Sequence, residues 1–236
     1  MNIDLIDAII LLIILLGGVI GFKEGGLKKA TSTIGLILVV VIAFILKNKI
    51  SVYFYENLPF IKLWGVFKGI QVLNIIFYEM VAFLTIVAVL SLIYRLLLSI
   101  TGLIERFLKA TIILSIPSKI IGFILGLIEA YIWVYIVLFI LTLPVINFRE
   151  VYKSKTATYI LENTPVVSKY TKKTLEIYDN IYTIVETKDS KTEEEINEES
   201  LDAMIKYDIV TVESAEKLIN QNKISVTNTA FLEKYK

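Results

Sequence analysis

The chain contains no cysteine and no histidine. The first absence excludes disulfides and thiol nucleophiles; together the two remove imidazole acids and bases and the usual zinc ligands. A catalytic centre would have to be built from carboxylates, hydroxyls and lysine, so neither an enzyme nor a cofactor is expected. An excess of one charge is missing as well. With 24 Lys/Arg against 23 Asp/Glu, nothing marks a nucleic-acid partner.

What the chain does have is apolar sequence. Hydrophobic residues make up 56%, where soluble domains hold about half. The distribution tells more than the mean. Residues 1–150 carry 12 Lys/Arg and 8 Asp/Glu and consist mostly of long apolar runs; residues 151–236 carry 12 and 15 and read as ordinary polar sequence.

A helix crossing a bilayer needs about 20 mostly apolar residues. Four stretches qualify: 3–22, 26–46, 70–94 and 120–143. The first opens with the acids Asp4 and Asp7 rather than the basic region of a secretory signal, so we expect it to be retained. Lys47 and Lys49 bound the second, and Pro144 marks the exit of the fourth. The aromatic stretch around Tyr53, Tyr55, Phe60 and Trp64 suits the headgroup layer. Leu103, Ile104, Phe107 and Leu108 share one helical face, which fits a helix lying on the membrane surface or a continuation of the third span. The expected fold is all-α: a four-helix transmembrane domain over 1–146, followed by a small helical tail.

Gly17, Gly21 and Gly25 are spaced by four, and so are Gly122, Gly126 and Ala130. Each set forms a flat ridge on one helical face. Lipid supplies no hydrophobic drive between helices, so close backbone approach must hold them together. Helix packing through these five glycines is expected.

Three acids are candidate intramembrane charges: Glu129 in the fourth span, Glu79 in the third and Asp7 in the first. A charge at mid-bilayer costs about 2.5–3.5 kcal/mol on insertion scales and normally faces a bundle interior. Glu129 and Glu79 could handle a proton or cation as a pair. With the spans shifted, both instead lie at headgroup level. For Asp7, favourable placement at a helix N-terminus is sufficient.

These residues also resemble the colicin V production protein family of bacterial inner-membrane proteins. In that family an acidic residue opens the first span and a Gly-aromatic-basic-x-Gly turn closes it. Here they correspond to Asp7 and to Gly21-Phe22-Lys23-Glu24-Gly25-Gly26-Leu27-Lys28. The family's Gly-x-x-x-Gly at the last span is matched by Gly122 to Gly126. The likeness covers about residues 3–145. Relatives tend to carry a basic residue and then glycine where this chain has Glu129 and Ala130, so no role of that cation transfers. The resemblance implies an inner-membrane component linked to peptide-toxin production or export and to envelope upkeep, not a reaction.

Lysines and arginines near the spans are evenly divided between the two sides. The compact basic turn from Lys23 to Lys29 therefore decides orientation: that turn cytoplasmic, both ends outside. Beyond the membrane domain, residues 147–186 read as a juxtamembrane amphipathic segment, with Val167, Tyr170, Thr174, Tyr178, Ile181 and Val185 at helical spacing. Residues 187–200 read as an acidic linker. Residues 201–236 read as two short helices capped by Ser200 and Thr211. That module is too small for a core of its own and is expected to dock on the membrane part, another copy or another envelope protein. Two functions follow: a non-enzymatic scaffold or assembly factor, or a small proton- or ion-coupled transporter or channel using Glu129 and Glu79. The polar pair Gln71 and Asn74 leading into span three adds to the second reading.

Overall fold

Four long helices account for most of the membrane part: α1 Leu5–Glu24, α2 Gly26–Asn57, α3 Leu73–Ile100 and α4 Ser115–Thr142. All four are long and apolar enough to cross a membrane. A single turn at Glu150–Lys153 and helix α5, Lys155–Asn163, follow; then come α6 Glu193–Lys206, α7 Val212–Asn220 and a 3₁₀ turn at Ala230–Tyr235. This computed structural model describes residues 5–63, 68–100, 115–142, 146, 148, 150–165, 167, 176–177, 179–184 and 190–236. Among them all regular secondary structure is helical, and no strand occurs. The surface-helix expectation for Leu103–Leu108, together with Trp64, Pro144 and most of 167–185, lies outside the described residues.

Helix α2 runs longer than its hydropathy indicates. Helix α2 has 32 residues, about 48 Å at 1.5 Å per residue, against a hydrocarbon core of about 30 Å. Lys47 and Lys49 therefore lie within the helix rather than bounding it. Tyr55, expected at the headgroups, is only 1% exposed.

The chain divides into two units. The first holds Met1–Ile45, Leu84–Thr142 and Phe148–Pro165. In it α1 and α4 are antiparallel neighbours: Gly17 faces Gly126 and Ala130, while Gly21 faces Gly122. Along α2 and α4 the contacts advance together, from Gly26 with Ser118 to Thr33 with Leu125 and Glu129. Tyr94 of α3 reaches back to Thr31 of α2. These contacts make an up-and-down bundle. Its outward faces carry Leu12, Leu16, Ile34, Leu92 and Ile124, all strongly exposed, which is the surface lipid would cover.

Helix α5 also belongs to this unit. Ser154 caps it, accepting from Ala157 N, and Ala157, Ile160 and Leu161 turn inward. The juxtamembrane segment expected as one piece over 147–186 is therefore divided: Phe148–Pro165 goes with the bundle and Val166 onward with the second unit.

The second unit holds Leu46–Phe83, Leu143–Asn147 and Val166–Lys236. Its apolar centre combines Tyr55, Leu73 and Ile76 with Ile181, Ile196, Leu201, Met204 and Leu218 of the tail, all buried. The stretch read as an acidic linker is in part helix α6, which starts at Glu193. Thr192, rather than Ser200, is its cap, and with Glu195 it forms a reciprocal capping box. Three glutamates in the first turn suit the positive end of the helix dipole. Ser200 lies buried in mid-helix. Thr211 does cap α7, accepting from Ser214 N.

Candidate functional site

The glycine ridges meet. A Cβ added at Gly21 would fall on the Gly122 carbonyl oxygen, one at Gly126 on the Gly17 oxygen, and one at Gly17 on the Ala130 Cβ. Nothing larger than hydrogen fits without separating α1 from α4. Gly25 closes the ridge, its backbone carbon 2.9 Å from where a Cβ on Gly122 would lie. Helix α1 ends at Glu24, and Gly25 takes φ 81°, with its N–H donating to Gly21 O at 3.0 Å. That is a left-handed helix stop which favours glycine, and it reverses the chain into α2.

Beside this contact the first intramembrane carboxylate, partly buried, finds its cation. Glu129 Oε1 lies 3.2 Å from Lys29 Nζ, and Thr33 Oγ1 donates to Glu129 Oε2 at 3.2 Å. The lysine side chain is 7% exposed and the glutamate 16%. Side chains lean toward their own helix N-terminus, so Glu129 leans back toward the α1–α2 turn, where Glu24 also lies 3.5 Å from Lys29. Lys28 reaches the same Glu24 at 3.4 Å. A cavity of about 350 Å³ opens alongside, bordered by Lys28, Arg95, Glu129 and Trp133 among others.

The second carboxylate lies in the second unit and has its own cation. Lys47 Nζ donates to Glu79 Oε2 at 2.9 Å, with the two side chains 8% and 5% exposed. Each acid is thus matched to a lysine of α2. Asp7, buried, takes a third role. Its Oδ1 accepts from Ser154 Oγ and, at 3.1 Å, from Thr156 N, so it supports the start of α5.

The polar residues leading into α3 are also engaged. Asn74 Oδ1 accepts from Ile61 N at 2.8 Å while its amide donates to Ile61 O and Gln71 O. Gln71 Oε1 accepts from Ser225 N at 2.6 Å. The tail is fixed here by side chains absent from the sequence-level candidates. Asn197 Oδ1 accepts from Gln71 N and Val72 N at 2.8 and 3.3 Å, covering backbone donors left free ahead of α3. Its amide donates to Gly69 O, and Gly69, at φ 86°, lies against the Glu193 carboxylate. Lys223 donates to the Tyr55, Glu56 and Leu58 carbonyls at 2.9, 2.6 and 2.9 Å, occupying the negative C-terminal end of α2. Burial holds its ammonium below the usual lysine range, with Glu56 opposing that shift. Lys217 and Ser214 bind the Glu56 carboxylate.

Among the described residues no three acids gather as a metal site would require. Lys29 and Lys47 had a signal in the sequence, since each buried acid needs a partner, but both sit where flanking cations are ordinary. Asn197 had none beyond its place in a polar run.

Four apolar helices, a small-residue contact between the first and last, and acids neutralised inside the helices define a polytopic α-helical membrane protein. The colicin V production protein family model matches residues 6–165, and the chain belongs to that family. No curated protein and no solved structure gives a match.

Proposed function

We propose that this family member is a non-enzymatic scaffold or assembly factor of a bacterial inner membrane, serving envelope or peptide-toxin export processes. In this reading both ends lie outside the cytoplasm. The observation that carries it is the fixed tail. Asn197, Lys217 and Lys223 hold the tail of the second unit on the segment Leu46–Phe83, giving a preformed surface rather than a loose appendage. The matched charges point the same way. A carboxylate already paired with lysine satisfies the membrane's demand for neutrality without any transported ion, and Gln71 and Asn74 serve as braces. Association with further copies or with another envelope protein would use the tail's outer surface.

A second reading, a small proton- or ion-coupled transporter, is favoured by one observation: Glu129 borders an open cavity. Two variants in the same cells separate them. Glu129→Gln keeps shape and removes charge, while deletion of residues 192–236 removes the tail. A scaffold keeps toxin export or envelope integrity in the first and loses it in the second, at equal protein levels. Ion or solute flux in liposomes that Glu129→Gln abolishes would overturn the scaffold.

A further inference from the structure

The cavity beside Glu129 follows α2 inward from Lys28 to Val39, about 16 Å of helix. Its two ends differ in character. At the end near the α1–α2 turn are Lys28, Arg95 and the hydroxyls of Thr31 and Ser32; farther in are Leu36, Val39 and Trp133. Tyr94 Oη donates to Thr31 O at 2.7 Å, so Arg95, its neighbour in sequence, is level with the second turn of α2. That level is where the bundle turns from α1 into α2, and the site inferred below places the lipid headgroups there.

The charges at that end are unequal. Lys29 is taken by Glu129 and Glu24, and Lys28 shares Glu24. Arg95 forms no ion pair with a carboxylate among the described residues. A guanidinium offers a planar fork of donors that matches phosphate oxygens two at a time. Basic pockets between helices at headgroup level are the usual means of holding anionic lipids.

We infer that this cavity binds the phosphate headgroup of an anionic lipid. Arg95 and Lys28 hold the phosphate, Ser32 donates to its oxygens or its glycerol, and the first part of an acyl chain lies on Leu36, Val39 and Trp133. The volume, about 350 Å³, is at the lower end of small-ligand pockets and suits a glycerophosphate head whose chains continue into the bilayer. Glu129 on the wall does not repel it, because Lys29 offsets the charge of that carboxylate.

The test uses the full chain in mild detergent with phosphatidylglycerol or phosphatidylcholine of identical acyl chains, counting retained lipid by native mass spectrometry. Wild type retains the anionic lipid in preference to the zwitterionic one. Arg95→Gln weakens that retention by about tenfold, the loss of one charge-assisted contact, and leaves phosphatidylcholine unchanged. Arg95 is exposed, so this variant folds. Lys119→Gln, a cation stacked on Phe22 away from the cavity lining, leaves the preference intact. Equal retention of both lipids, or no effect of Arg95→Gln, would overturn the inference. So would displacement of the lipid by millimolar inorganic phosphate, which would mark a free-anion site instead.

Discussion

The Lys47–Glu79 pair makes a prediction that can be worked through. Both side chains are more than nine-tenths buried, with 2.9 Å between Nζ and Oε2. An exposed pair in this geometry contributes about 0–1 kcal/mol. A buried one behaves differently. Removing one partner leaves the other charge without compensation and costs about 3–5 kcal/mol, whereas removing both is often nearly neutral. Lys47→Met keeps the length of the stem and strands the Glu79 carboxylate. Glu79→Gln keeps shape and strands the ammonium. The double variant leaves a neutral amide beside a thioether.

At about 2–4 °C per kcal/mol for a chain of this size, each single variant should unfold about 6–20 °C below wild type, and the double variant nearer to wild type than either single. Intrinsic tryptophan fluorescence on heating in detergent reads this from the two tryptophans of the chain. The reasoning fails if the losses are additive, because additive losses mean uncoupled residues. It fails equally if both singles are within about 1 kcal/mol of wild type, the result expected of a solvated pair.

Gly126→Leu should cut the accumulation of folded protein several-fold, since its side chain meets the Gly17 backbone, while Val137→Leu on the exposed face should not; equal levels count against ridge packing. Asn197→Ala removes three hydrogen bonds to the loop before α3 and should cost about 2–3 kcal/mol of tail attachment. Limited proteolysis near Lys191 should then release the tail faster, and an unchanged rate would refute that docking role. Because the chain has no cysteine, a single Cys at position 236 reports orientation without background. A membrane-impermeant maleimide should label it in spheroplasts, and labelling only after permeabilisation would put the tail in the cytoplasm.

The membrane part was legible because its signals are local. Twenty apolar residues in a row need no partner to be recognised, and glycines four apart identify a helical face before its neighbour is known. Helix ends were less legible. Lys47 read as a boundary because a lone cation in an apolar run usually is one; only the presence of Glu79, 32 positions later in sequence, lets the helix carry it inward. The tail shows the same limitation. Glu193-Glu194-Glu195 reads as solvated charge until Thr192 and Glu195 are seen capping one another. Ser200 is as good a cap as Thr192 by residue type, and only the burial of Ile196 and Asn197 puts the start of the helix before it. A long-range contact decided the position of Lys47, whereas the start of α6 rests on a local Thr-x-x-Glu pairing together with burial.

The family's reach along the chain bears on where this protein's own specificity resides. The match ends at residue 165, just past α5, and α5 is joined to the start of the chain by Asp7 through Ser154 and Thr156. An acid at the head of the first span therefore has a structural task inside the family's unit, fixing the juxtamembrane helix against the bundle. Tyr131 of α4 adds a second attachment at 2.8 Å to Thr164, at the other end of that helix. The tail from 190 onward lies beyond the matched region, and the contacts that hold it are of another kind. Asn197 and Lys223 bind backbone groups at helix ends, which any sequence would present, whereas Ser214 and Lys217 require the side chain of Glu56. A tail attached mostly to backbone can change its outer surface without losing its seat. On the scaffold reading proposed above, that would separate the two tasks of the chain: a membrane unit held by glycine and matched charge, and a presented surface free to differ in what it recruits.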